Sequence, residues 1–191
     1  MNDTGATREP WTVRSITRAL LPVLLVLTML ELAGGLTLDA FEAQLLRYPT
    51  LLTLVPVTIG TAGNLGSILS ARLSTVFHLG VLTFDTDDER LVGNLVTTVL
   101  LAVTVFPLVG GGAWTVTWAT GRTQLALSTV VGIALVSGLV LAALAVFVAI
   151  TATYAAYRLE LDPDDVVIPV VTNVCDVLGV VVLFAVVQLT V

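Results

Sequence analysis

The sequence predicts an all-α polytopic membrane protein, a bundle of about five transmembrane helices, and three observations carry that prediction. Of the 191 residues, 57% are hydrophobic and only 12% are charged, whereas a soluble domain is about half apolar and about a quarter charged. The mean hydropathy is +1.02, so the missing surface charge is explained by lipid rather than water at the outer face. The apolar residues also fall into a few runs long enough to cross a bilayer, which takes roughly 20 residues per helix. Few aromatics, 6%, and no series of alternating segments of about ten residues argue against a transmembrane barrel.

Residues 1–14 form a polar N-terminal segment, disordered or lying at the interface, and 15–191 form the transmembrane domain. The first span covers 15–38. It follows Arg8, Arg14 and Arg18 and lacks a small-residue cleavage site, so it reads as a retained helix and not a signal peptide. A short acidic stretch, Leu38-Asp39-Ala40-Phe41-Glu42, leads to the second span, 50–79, which is interrupted by three glycines and Asn64 within 60–67. The most charged stretch, 85–90, faces water. The third span, 91–109, ends at Gly110-Gly111-Gly112, and the fourth, 124–157, exceeds what a bilayer requires and so tilts or projects. Asp162-Pro163-Asp164-Asp165 makes a turn and a helix start for the fifth span, 164–188.

Arginines set the orientation. With a cytoplasmic N-terminus, Arg8, Arg14, Arg18, Arg72, Arg90 and Arg158 fall inside, while Arg47 and Arg122 fall outside. The excess favours N-in and C-out in the cell membrane, because the positive-inside rule counts basic residues and not net charge. With no lysine and a net charge of -6, the chain offers no basic face for nucleic acid.

Asp176 carries the sharpest chemical signal. It stands near the middle of the fifth span, with aliphatic turns on both sides, where a carboxylate costs about 2.5–3.5 kcal/mol even on the lenient insertion scale. No arginine lies at that depth, which leaves a metal ion, a proton or a water-filled cavity to offset the charge. The alternative is a protonated structural Asp bonded to Thr172 or a neighbouring helix. Thr172, four residues earlier, shares its face, with Asn173 beside it. An oxygen-rich face with one carboxylate suits a hard cation that keeps most of its water.

Gly60, Gly63 and Gly66 are either a close helix-packing face or a locally unwound segment lining a cavity, and the polar Asn64 favours the cavity. Glu31 reads as an interfacial carboxylate of the outer part of the first span. Glu42 is a candidate ion-attracting group at a pore mouth, and His78 an interfacial residue near a helix end. The single Cys175 excludes an intrachain disulfide. There is no His-Glu-x-x-His and no Gly-x-Ser-x-Gly, so an enzyme has no support here.

Two segments resemble a known family. Val55-Pro56 followed by Gly63-Asn64-Leu65-Gly66 is similar to the "P … G-N-x-G" stretch of MgtE magnesium channels, and the continuation Ser70-Ala71-Arg72-Leu73-Ser74-Thr75 resembles their eukaryotic solute-carrier relatives. Asp162-Pro163, Pro169, Thr172, Asp176 and Gly179 resemble the family's "D-P … P … T … D-x-x-G" fifth helix, and Phe41-Glu42 its acidic pair before the second helix. The resemblance implies a dimeric pore, homomeric or formed with a paralogue. In it Asp176 holds hydrated Mg²⁺ on the axis, Thr172 and Asn64 line the pore, and Glu42 is an outer-side ligand. Mg²⁺ is then the transported ion, with no cofactor. Ile68 stands where bacterial members usually carry Gln, so second-helix ion contacts differ. The family's cytoplasmic N-terminal and nucleotide-binding-type regulatory domains have no counterpart in these residues, so Mg²⁺-sensing gating is not expected of them unless a partner chain supplies it. Beside the Mg²⁺ channel or carrier stand two alternatives: a proton- or sodium-coupled divalent cation exporter, and a non-conducting subunit that pairs with an active paralogue.

Overall fold

The computed structural model describes residues 12–81 and 88–191. Six helices follow in order: α1 (Val13–Ala40), α2 (Glu42–Arg47), α3 (Pro49–His78), α4 (Glu89–Ala119), α5 (Leu127–Arg158) and α6 (Pro163–Thr190). All but the short α2 are long and apolar enough to cross a membrane, and the described residues contain no strand. The chain is thus an all-α polytopic bundle. The expectations for residues 1–11 and for the loop at 82–87 lie outside the described residues.

Local chemistry sets the helix starts. Thr12 and Ser15 form a capping box, the Thr12 hydroxyl oxygen accepting from the Ser15 N–H at 3.2 Å. Asp88 accepts from the N–H groups of Arg90 and Leu91 at the start of α4. Asp162 caps α6 through the Asp164 N–H, with Pro163 in the first turn where no donor is needed. Inside the helices, buried hydroxyls donate to the carbonyl four residues back, as Ser70 does to Gly66 and Thr153 to Ala149. Lipid offers no substitute partner, which favours this self-satisfaction, although the buried hydroxyls of Thr58 and Ser137 have no partner among the described residues.

α5, the most apolar helix at a mean hydropathy of 2.9, packs against α3, α4 and α6. Small residues permit the close approach that membrane helices use. A Cβ on Gly138 would stand 2.0 Å from Cγ of Phe106, and one on Gly110 would stand 2.8 Å from the Val131 Cα. Leu69, Leu73, Phe106 and Val171 belong to one buried cluster, and Leu51, Leu54, Ile133 and Phe184 to a second. At the ends, the hydroxyls of Thr50 and Thr117 pair at 3.1 Å, and Arg72 Nε donates to the Asn94 side-chain oxygen. α1 is peripheral and touches α6 and α2 alone among the described elements.

Three features differ from the sequence expectations. The triple glycine does not end the third span: α4 runs on to Ala119, because a spanning backbone must keep its internal hydrogen bonds and Gly110 is a packing contact with α5. Residues 60–67 are helical throughout, so the unwound alternative fails. Gly63 and Gly66 pack on α6 instead, where a Cβ on Gly66 would come within 2.7 Å of Val171 Cγ1. The acidic stretch after the first span also leads directly into α2, anchored by the buried Leu45.

Candidate functional site

The middle of α6 turns its donors inward on itself. Thr172 Oγ1 donates to the Ile168 carbonyl at 2.9 Å, and Asn173 Nδ2 to the Pro169 carbonyl at 3.0 Å. The oxygens are what these side chains have left to offer, and Asn173 Oδ1 is buried without a hydrogen-bond partner among the described residues. Asp176, at the midpoint of α6, is half-buried. Opposite it on α3 is Gly63, where a Cβ would stand 3.2 Å from Asp176 Oδ1 and 3.4 Å from Thr172 Cγ2. Glycine at this position leaves the space that the carboxylate occupies.

Asp176 opens onto a cleft of about 200 Å³ between α1 and α6, lined also by Glu31, Gly34 and Gly35 of α1, Ile59 of α3 and Val177. The remaining walls are aliphatic. Glu31, which the sequence referred to the interface, lines this cleft as an exposed residue. Two glycines one turn later were the available signal, since small residues mark the face a membrane helix presents to a neighbour.

The other candidates are placed apart. Asn64 follows Gly63 on α3 and is exposed, outside the cleft lining. Glu42 is exposed at the start of α2. Its neighbour Phe41 stacks on Phe184 at a centroid distance of 4.1 Å, two turns past Asp176, so Glu42 lies roughly 12 Å further along α6. The structure thus brings Asp176 and Thr172 together against Gly63 and leaves Asn64 and Glu42 outside that cluster.

His78 is not solitary. Its Nδ1 donates to the Ser74 carbonyl at 3.0 Å, its Nε2 faces Asp162 at 3.6 Å, and the Ser74 hydroxyl donates to Asp164 at 2.6 Å. This exposed group fastens the end of α3 to the start of α6. Its ligand atoms lie within 4.8 Å of one another.

Five helices long and apolar enough to cross a membrane, with the Asp176 carboxylate at the midpoint of the last, define the class, a multi-pass membrane protein. Residues 55–186 match the MgtE family, described as a divalent cation transporter, and the chain belongs to that family. The family is one of transporters and not of enzymes, and divalent cation transport is what membership implies. No curated protein and no solved structure matches the chain significantly.

Proposed function

We infer that the chain is a Mg²⁺ channel or carrier subunit in which Asp176 contacts the permeating ion. The observation that carries this reading is the position of Asp176: at the midpoint of α6, open to a cleft, and with no ion-pair or hydrogen-bond partner among the described residues. An uncompensated carboxylate at that depth needs a counter-charge, and the family's cargo supplies one. Thr172 contributes an acceptor oxygen beside it, Asn64 a polar group on the neighbouring turn of α3, and Glu42 a carboxylate toward the outer end. Two chains, identical or paralogous, pair so that their Asp176 carboxylates act on one ion, since a single carboxylate supplies few of the ligands a divalent cation takes. The N-terminus is cytoplasmic and the C-terminus outside, on the arginine count.

The test is Mg²⁺ flux through the purified chain in liposomes. Uptake without a pH or sodium gradient supports a channel or uncoupled carrier. Strict dependence on either gradient transfers the assignment to a coupled exporter, and no flux at all leaves a subunit that needs its paralogue.

A further inference from the structure

As first, third and fifth spans, α1, α4 and α6 start on the same side of the membrane. The first turns of α4 and α6 carry Glu89 and the pair Asp164 and Asp165, whereas that of α1 holds no acid. In its place stand Arg14 and, one turn on, Arg18. Cations at a helix N-terminus oppose its dipole, so these two do not serve the stability of α1. Neither has an ion-pair or hydrogen-bond partner among the described residues. The nearest acid further along α1 is Glu31, more than three turns past Arg18.

Both arginines line a groove of about 560 Å³, together with Thr17, Leu21 and Pro22. Their spacing, i, i+3, i+4, i+7 and i+8, makes these five residues one helix face. The bundle does not cover it: all five are exposed, and the first buried residue described in α1 is Leu27. Thr28 and Thr37 of the same helix donate to the carbonyl four residues back, but Thr17 makes no such bond among the described residues. Pro22 has no N–H, so the Arg18 carbonyl loses its helical donor. The face thus offers two guanidinium forks, a hydroxyl and a freed carbonyl, with two apolar side chains one turn deeper. The 28 residues of α1 exceed the roughly 20 that the hydrocarbon core takes, so the polar part reaches headgroup depth. Guanidinium forks match phosphate oxygens, and the apolar part suits an acyl chain. A second copy of this chain fits poorly, because a two-fold contact would set the same arginines against each other.

We propose that the start of α1 is a docking site for an anionic phospholipid, its phosphate on Arg14 and Arg18 and an acyl chain along Leu21 and Pro22. With the N-terminus cytoplasmic, the lipid belongs to the inner leaflet, whose surface is negative. The site is independent of the ion contact at Asp176.

The test is native mass spectrometry of the purified full chain offered equal amounts of phosphatidylglycerol and phosphatidylcholine. The wild type should retain phosphatidylglycerol in preference. Replacing both arginines, Arg14→Gln with Arg18→Gln, should lower that preference by about tenfold or more. Arg122→Gln, in the connection between α4 and α5, should leave it unchanged. Circular dichroism and a monodisperse elution profile establish that each variant is folded. Equal retention of the two lipids by the wild type overturns the proposal, as does a preference that survives the double substitution. A double variant that keeps its lipid preference but elutes as a smaller assembly also overturns it, and makes this face an interface between chains.

Discussion

Gly63 of α3 and Asp176 of α6 fit one another: a Cβ at position 63 would stand 3.2 Å from the carboxylate oxygen Oδ1. That spacing is tighter than ordinary van der Waals contact, so any larger side chain must move the carboxylate or the helix that carries it. Gly63→Val should insert normally and lose at least about tenfold in Mg²⁺ flux, since a shift of about an ångström at a positioned group has effects of that size. Wild-type flux in a correctly inserted Gly63→Val protein would mean that the position of Asp176 is unimportant.

The glycines separate into contact and open positions, and stability should follow that division. Gly138→Ala drives a methyl into the Phe106 ring, 2.0 Å from Cγ, whereas a Cβ on Gly112 meets nothing within 4 Å. Overpacking of this kind costs about 1–3 kcal/mol. Thermal unfolding in detergent should show a clear loss for Gly138→Ala and none for Gly112→Ala, and equal midpoints for the two would refute the α4–α5 packing described above.

Orientation is testable at two turns. Glu160 lies in the connection between α5 and α6, and Thr120 at the end of α4; both are exposed. In a Cys175→Ser background, Glu160→Cys should react with an impermeant thiol reagent only after the cells are opened. Thr120→Cys should react in intact cells. The reverse pattern inverts the topology and makes the N-terminus external.

Assembly in pairs is expected to involve α6, whose exposed surface includes Val181, one to two turns past Asp176. Val181→Cys in the same background should yield crosslinked dimers in membranes. A monodisperse monomer that conducts at the wild-type rate would contradict pairing.

Much of this was legible in the sequence, for a physical reason: lipid exposure writes the five spans into hydropathy without help from tertiary contacts. Asp176 was legible too, because a carboxylate between aliphatic turns is conspicuous wherever its helix packs. Glu31 was not. Its place in the cleft with Asp176 depends on the register of α1 against α6, fixed by Gly34 on Val177, and a single chain of letters does not contain a contact between residues so far apart. The glycines misled for a related reason. In water Gly110-Gly111-Gly112 ends helices, but in lipid the backbone bonds itself and glycine becomes a contact surface, as Gly110 does against Val131. The short α2 escaped because six residues carry too little periodicity to be recognised, and its place is secured by Leu45 and by the Phe41–Phe184 stack.

The helix-end group gives a further check. Asp162 caps α6 and faces His78, and loss of a capping side chain costs about 1 kcal/mol. Asp162→Ala should lower thermal stability modestly while leaving a folded bundle. A fully unaffected melting profile would mean that this cap contributes nothing to the bundle.

The most direct measurement is Mg²⁺ flux through Asp176→Asn in proteoliposomes, normalised to inserted protein. The substitution keeps size and hydrogen-bonding capacity and removes the charge, so the variant should insert and assemble at least as stably as the wild type, because the buried-charge cost disappears. Flux should fall close to background. Near-normal flux would show that Asp176 is a packing residue and that the ion passes elsewhere.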